Sequence, residues 1–230
     1  MNSPTEATAV FNANHDATNR RLLARKVIAK SDHIESASRK VSITLCSPEG
    51  KRLYLRCFEI TQVNFHYITV FAHMKVSEQE VGRIEQEIRN MLENRLVRVN
   101  QALADMEAQC VAQNVASLAT YDVEPLLLET KVFSMLDRRL LELIEKVDQL
   151  MPMLETLCID EAITPSQLVI EKSKLKNMVR GAAKAVRIAR ATLQRQANAG
   201  TASAAATAGA STDVETPAQA PRVTSPEPLE

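Results

Sequence analysis

The chain has 230 residues with 45% hydrophobic and only 3% aromatic side chains, a composition typical of one sizeable, mainly helical domain with an aliphatic core. It contains no apolar window of about 18 residues, and its start lacks a basic segment followed by an apolar one, so we expect neither a membrane span nor a secretory signal. The formal net charge is zero, and the four cysteines form no C-x-x-C pair, which argues against a zinc site and for a cytoplasmic protein with reduced thiols.

In chain order, the sequence predicts a disordered lead, one α+β domain and a disordered tail. Residues 1–18 are polar and aperiodic, and a short basic helix is plausible over 19–30. The domain is expected to span 19–196 and to be mainly α with a small antiparallel β-region. Residues 197–230 are rich in Ala, Thr, Ser and Pro and show no periodic apolar face, which predicts a disordered tail.

The β-region is predicted over about 41–74 as a meander of three short strands. Apolar and polar residues alternate over 41–46, and the sequence SPEG at 47–50 is typical of a turn. Residues 52–60 alternate again, and residues 66–74 are rich in β-branched and aromatic side chains. Three antiparallel strands therefore precede the helices in this interpretation.

The helical body is predicted over about 77–196. The sequence SEQE at 77–80 has the form of a capping box and precedes a long stripe of apolar residues at helical spacing. A second helix is expected to begin near Pro125 and to end or kink at Pro152. The sequence TPSQ at 164–167 combines a threonine cap, a first-position proline and a third-position glutamine, and so predicts the start of the last helix.

This last helix carries its apolar and its basic residues on different sides. Its packing stripe follows a 4, 3, 4, 3, 4 spacing and consists of Leu175, Val179, Ala182, Val186, Ala189 and Leu193. A basic face lies roughly opposite and consists of Lys176, Arg180, Lys184 and Arg187. From Lys172 to Gln196 the sequence holds eight Lys or Arg residues and no acidic residue.

The sequence gives no support for catalysis. It lacks phosphate-binding glycine motifs, the H-E-x-x-H motif and the G-x-S-x-G motif. His66 and His73 are seven positions apart and would point to opposite faces of a strand, so joint metal binding is not expected. We therefore expect no enzymatic activity, no cofactor, no metal and no small-molecule substrate.

Charge is the remaining signal, because the two signs are separated along the chain. Residues 15–56 hold ten Lys or Arg against four acidic residues, and residues 57–171 hold nine against nineteen. Such separation indicates either a charged partner or contacts between oppositely charged parts of the molecule. On the predicted second strand, Arg52, Tyr54 and Arg56 share a face that is either a solvent-exposed strand surface with protective charge or a surface that reads base edges in a DNA major groove. Neighbouring cations would then hold phosphates, namely Arg25, Lys26, Arg39, Lys40 and Lys51.

The basic face of the last helix has more than one interpretation. It could contact phosphates, or it could be a solvated surface. It could also rest beside the acidic helical body, although exposed ion pairs of this kind contribute only about 0–1 kcal/mol each. A membrane-surface helix is the weaker option, because the apolar side is built from Ala rather than from Trp, Phe or Leu.

Taken together, this layout resembles the AcaB-like transcriptional regulators that are encoded on conjugative plasmids and integrating conjugative elements of bacteria. The resemblance covers roughly residues 40–195. It lies in the overall size, in the small β-region before a long helix (YITVFAHMKVSEQEVGRIEQEIRNML) and in the leucine-rich helix VFSMLDRRLLELIEKV. It implies a dimeric DNA-binding regulator of transfer genes with a ribbon-helix-helix type of reader, in which one strand from each subunit enters the major groove.

Two functional hypotheses follow from these observations. The first is a sequence-specific regulator that binds double-stranded DNA as a homodimer, with the N-terminal β-region and its basic neighbours touching DNA. The alternative is a non-enzymatic helical adaptor that binds other proteins through its amphipathic helices. In the first hypothesis, the strand bearing Arg52 and Arg56 is preferred as the reader over the strand near Phe71, whose outer face is less basic.

Overall fold

The structure is a computed structural model that describes residues 18–23, 34 and 36–209. Residues 18–23 are helical. From residue 36 onward, the strands and α-helices are β1 (Arg39–Leu45), α1 (Pro48–Leu53), α2 (Glu59–His66), α3 (Glu78–Ala112), β2 (Leu126–Val132), α4 (Met135–Ile159) and α5 (Pro165–Gly209). The chain is therefore mainly helical with one small antiparallel sheet, which confirms the predicted fold class.

The sheet is a two-stranded ribbon in which β1 pairs with β2 of the same chain. The register runs from Arg39 opposite Val132 to Leu45 opposite Leu126. The strand predicted at 41–46 is thus confirmed. The other strand is not part of a local meander, since β2 lies in a segment that was expected to begin a helix. A ribbon-helix-helix reader pairs strands from two subunits, whereas this ribbon is formed within one chain.

The strands predicted at 52–60 and 66–74 are wrong, because the chain is helical from Pro48 to Met74. We call this segment the composite helix; α1 and α2 are each followed by a π-helical stretch, Tyr54–Phe58 and Tyr67–Phe71, and a 3₁₀ turn closes it. Its buried side chains recur at spacings of four and three and include Tyr54, Phe58, Thr61, Phe65, Ile68 and Ala72. The segment therefore follows the helical period, and the short period-two alternation in its sequence is a coincidence of spacing.

The SPEG sequence begins the composite helix instead of forming a turn. Ser47 is the N-cap, and its hydroxyl accepts a hydrogen bond from the Gly50 amide at 2.9 Å. Pro48 occupies the first helical position, where its missing N–H leaves no intrahelical bond unmade. The same residue types serve turns and helix starts, so the local sequence did not distinguish the two.

A buried carboxylate fastens this helix start to α4. Asp148 accepts hydrogen bonds at 2.8 Å from the backbone amides of Cys46 and Ser47, and at 2.5 Å from the Ser47 hydroxyl. Gly50 packs directly against the same carboxylate, with no space for a β-carbon. The junction between β1 and the composite helix therefore depends on one acidic side chain from the centre of the fold.

The long helices enclose the core around α4. Residues of α4 that are buried include Leu140, Leu143, Ile144, Val147, Leu150, Met151 and Leu154. The helix does not end at Pro152 and continues to Ile159. Among the described helices, none is both long enough and apolar enough to cross a membrane.

The helix starts were predicted with mixed success. At α5, Gln167 donates its amide to the Thr164 hydroxyl and accepts from the Thr164 amide, so the predicted capping box is confirmed. Ser77 precedes α3 but its side chain makes no capping bond. The capping box at α4, formed by Ser134 and Asp137, was not predicted. Helix α5 continues to Gly209, so the predicted disordered tail is wrong for residues 197–209. The rest of that tail, 210–230, and residues 1–17 of the predicted lead lie outside the described residues.

The capping carboxylate of α4 should make stability depend on pH. Burial raises the pKa of Asp137 from 3.8 to about 6, although the backbone amides of Phe133 and Ser134 oppose this shift. The folded protein therefore favours the protonated carboxyl of Asp137. The contribution of this group to the free energy of unfolding is complete below about pH 4 and is lost as the pH rises through 6, a change of roughly 3 kcal/mol. We expect the free energy of unfolding of the Asp137→Asn variant, measured in urea from pH 4 to 7.5, to show no such decrease with pH. Identical pH profiles for both proteins would contradict the assignment.

Candidate nucleic-acid interface

The predicted reading face of Arg52, Tyr54 and Arg56 does not exist as a single surface. Because these residues lie on a helix, Arg52 and Arg56 are exposed while Tyr54 turns inward and is only 2% exposed. The Tyr54 hydroxyl donates to Thr130 Oγ1 at 2.7 Å and so holds the composite helix against β2. The structure keeps the two arginines as candidate contacts and removes the tyrosine.

Lys51 is also corrected, because it is a buried structural residue. It is 1% exposed, and its Nζ donates to the Glu124 carbonyl at 2.5 Å and to Asn19 Oδ1 at 3.3 Å. Burial lowers its pKa, while the nearby Asp148 carboxylate opposes that change. A phosphate outside the protein could not reach this ammonium group.

The remaining N-terminal candidates contribute little to one surface. Lys40 lies on the exposed outer face of the ribbon, where it forms an ion pair with Glu129 at 2.6 Å. Arg39 lines a cavity at the end of the ribbon together with Arg138 and Glu142. Arg25 and Lys26 lie outside the described residues. The ribbon therefore does not carry the strongly basic face that the sequence suggested.

The basic face of α5 is exposed as predicted from its spacing. The packing stripe is buried, with Leu175, Val179, Ala182, Val186 and Leu193 in the core. Arg180, Lys184 and Arg187 are exposed and Lys176 is half-buried. Within residues 36–209, no ion pair joins any of these four cations to a carboxylate.

Neighbouring cations show what self-neutralisation looks like in this fold. Lys172 is half-buried and lies between Glu155 and Glu49, with 3.3 Å from its Nζ to Glu49 Oε1. These carboxylates help to raise the pKa of Lys172 above its ordinary value, although burial has the largest single effect and acts in the opposite direction. Lys174 pairs with Glu171 at 2.6 Å. The start of α5 is thus neutralised internally, whereas its middle is not.

Helix α5 runs alongside the composite helix in the same direction. Lys172 contacts Glu49 near the start of both helices, and Arg190 contacts Asn64 further along both. Between these contacts lies a cleft of about 280 Å³ that we call the basic groove. It is lined by Arg56, Cys57, Ile60, Thr61, Asn64, Arg180, Ala183, Lys184 and Arg187.

The basic groove brings together cations that are distant in sequence. Arg56 comes from the composite helix and Arg180, Lys184 and Arg187 come from α5, and no carboxylate of the described residues lines the cleft. The two arginines Arg56 and Arg180 lie close enough to Cys57 to oppose the rise in its pKa that burial causes. Four positive charges in one cleft repel each other, so an anion that enters relieves this repulsion.

Guanidinium groups suit an oxyanion with several acceptor oxygens. Each presents planar, charged N–H donors that match phosphate geometry and give charge-assisted hydrogen bonds. Arg52 lies one turn before Arg56 on the composite helix and is also exposed, so it extends the same positive surface. The arrangement can bind phosphate groups along the line between the two helices.

Sequence reasoning missed two residues of this region. Asn64 falls between the strands predicted at 52–60 and 66–74, and Arg190 belongs neither to the predicted packing stripe nor to the predicted basic face of the last helix. In the structure, Arg190 donates to Asn64 Oδ1 at 2.8 Å and lies over the Tyr67 ring at 5.1 Å from its centroid. Only the knowledge that residues 59–66 are helical would have placed Asn64 beside α5.

Comparisons with known proteins give one structural relative. Neither a family model nor a curated protein matches the sequence. The structure is similar to the crystal structure of selenomethionine-containing AcaB from uropathogenic E. coli, with a TM-score of 0.67 and 17% sequence identity over 72% of this chain and 85% of that chain. At this level of identity, the likeness shows that the two chains share a fold.

Proposed function

We propose that the protein is a DNA-binding transcriptional regulator that acts as a homodimer in the bacterial cytoplasm, with conjugative-transfer genes as its target. The observation that carries this proposal is the basic groove, an exposed cleft with four cations and, among the residues that the structure describes, no carboxylate in its lining. The shared fold with AcaB supports it, because the sequence also resembles the AcaB-like regulators in its layout.

In this proposal, the basic groove grips the sugar-phosphate backbone. Phosphate contacts supply most of the affinity of such proteins but carry no sequence information. The lysine and the three arginines of the groove come from two helices that contact each other, so the backbone positions that carry these side chains are set before DNA arrives.

Base recognition falls to the outer face of the ribbon. That face alternates with the buried one and presents Lys40, Ser42, Thr44, Leu127, Glu129 and Lys131 to solvent. A two-stranded ribbon fits a major groove, and hydroxyl and ammonium groups are suitable partners for base edges. Tyr54 and Gln62 bond the composite helix to β2, so the ribbon and the basic groove flank the same helix.

The salt dependence of DNA affinity tests the proposal. We would measure fluorescence anisotropy of labelled duplexes from 50 to 200 mM salt. Four to six phosphate contacts predict a slope of log K against log salt of roughly −4 to −5. A protein that binds no duplex at 50 mM salt would not be a DNA-binding regulator.

The adaptor alternative has one structural observation in its favour. On the other side of α5, a largely apolar cleft of about 410 Å³ separates it from α3 and is lined by Ile84, Ile88, Met91 and Ile188 among others. Ile188 is 53% exposed at its rim. A partner protein that is retained after nuclease treatment, and lost in the Ile188→Asp variant, would favour this function.

A further inference from the structure

Asn64 has a side-chain donor that no group of the described residues uses. The residue is only 3% exposed and lines the basic groove. Its Oδ1 accepts from Arg190 Nη1 at 2.8 Å, whereas its Nδ2 has no hydrogen-bond acceptor within the described ranges. Nδ2 is also not fully buried, so solvent reaches it. The little surface that Asn64 exposes therefore belongs to the groove.

Arg190 fixes the orientation of this carboxamide. A guanidinium can only donate hydrogen bonds, so the amide oxygen of Asn64 must face Arg190 and the amide nitrogen must face away from it. Arg190 is itself held over the Tyr67 ring. A buried amide donor thus remains aimed at a cleft that is also lined by four cations.

These groups define the chemistry of a ligand. Amide nitrogen and guanidinium groups all donate, so the ligand must offer several acceptor oxygens on one small centre. The volume of 280 Å³, against about 30 Å³ for one water, leaves room for such a group with several waters. Arg56 and Arg180 line the same cleft and both act electrostatically on Cys57, so two positive charges are available there to one anion.

We propose that the basic groove contains a discrete phosphoryl pocket, in which Asn64 Nδ2 and the guanidinium groups of Arg56 and Arg180 hold one phosphoryl group. Arg190 is a positioning residue for Asn64. The inference deepens the proposed function and depends on it for one point only, namely that the phosphoryl group is a phosphodiester of DNA. A free phosphoryl compound has the same chemistry and is distinguished by experiment.

The Asn64→Asp variant tests the pocket. It keeps the acceptor for Arg190 and replaces the free donor with a carboxylate oxygen. Asn100→Asp is the matched control, since Asn100 is exposed on α3, outside the groove, and gains the same charge. Two probes are used, a labelled duplex and inorganic pyrophosphate, with binding followed by anisotropy and by calorimetry. We expect Asn64→Asp to weaken binding at least tenfold relative to Asn100→Asp, as one charge-assisted hydrogen bond predicts.

Two further variants separate the donor from simple charge and from misfolding. Asn64→Leu removes the donor without adding charge, and with it the acceptor of Arg190 that Asn64→Asp keeps; it is compared with Asn100→Leu. Arg180→Gln changes an exposed residue and leaves the core intact. It should weaken the binding of both the duplex and pyrophosphate. Thermal unfolding of every variant confirms that the protein compared is folded.

Each outcome is decisive. Loss of duplex binding in the Asn64 variants identifies a DNA phosphodiester in the pocket. Loss of pyrophosphate binding alone keeps the pocket and assigns it to a free phosphoryl compound, and the proposed function is then judged from the wild-type affinity for DNA. Asn64 variants that match their Asn100 controls for both probes overturn the pocket, as does a wild-type protein that binds neither probe.

Discussion

Replacing Arg180, Lys184 and Arg187 by glutamine is expected to reduce the affinity for duplex DNA on the order of 100-fold near 0.1 M salt. These three cations share one exposed face of α5, and no described carboxylate forms an ion pair with them. If each contacts one phosphate, the slope of log K against log salt becomes shallower by roughly 2.7. Stability should change little, because none of the three side chains belongs to the core.

A control variant with the same change in net charge separates the effect of a cation's position in the groove from the effect of overall charge. Lys75, Arg98 and Arg138 are exposed and do not line the basic groove, and their triple replacement by glutamine also removes three positive charges. We expect this control to lose affinity by no more than a few-fold. An equal loss in both triple variants would mean that DNA responds only to the overall charge, and that α5 is a solvated face.

The second large effect concerns folding, at the junction that Asp148 holds. A β-carbon placed on Gly50 would lie 2.1 Å from Asp148 Oδ1 and 2.7 Å from its Cγ, so the carboxylate must move. The amides of Cys46 and Ser47 would then lose their acceptor. We expect Gly50→Ala to lower the free energy of unfolding by about 3 kcal/mol or more, measured by urea denaturation.

Gly82 provides the matched control for this substitution. It lies on the exposed side of α3, and a β-carbon there meets no atom within 4 Å. Gly82→Ala should leave stability unchanged or raise it by up to about 1 kcal/mol, because alanine is the better helix former. If Gly50→Ala were as stable as Gly82→Ala, the Asp148 contacts would not hold the junction.

The fold class could be predicted from the sequence, but the pairing of the strands could not. The alternation at 41–46 reflects a real buried face, with Ile43 and Leu45 in the core. Its partner β2 begins with three consecutive leucines, which hide the alternation, and joins β1 over a long stretch of chain. No local pattern encodes such a pairing, since it depends on what the helices between the strands leave uncovered.

The candidate site was likewise predictable only in part. The basic face of α5 was predictable, because one helix of regular period fixes both its packing stripe and the opposite side. The second wall of the groove was not, since Arg56 and Asn64 were interpreted as strand and loop residues. Once residues 48–74 are known to be helical, the spacing of four between Arg52 and Arg56 places both on one exposed side.

Lysine acetylation with and without bound duplex, followed by mass spectrometry, tests the central claim most directly, namely that the basic groove is the surface that holds DNA. Lys176 and Lys184 lie on the basic face of α5, and Lys75 and Lys174 are exposed lysines that do not line the groove. We expect DNA to slow the acetylation of Lys184 most and of Lys176 to a lesser degree. Lys75 and Lys174 should react at the same rate in both samples. Protection of Lys40 and Lys131 on the ribbon, with Lys184 as reactive as in the free protein, would contradict the claim.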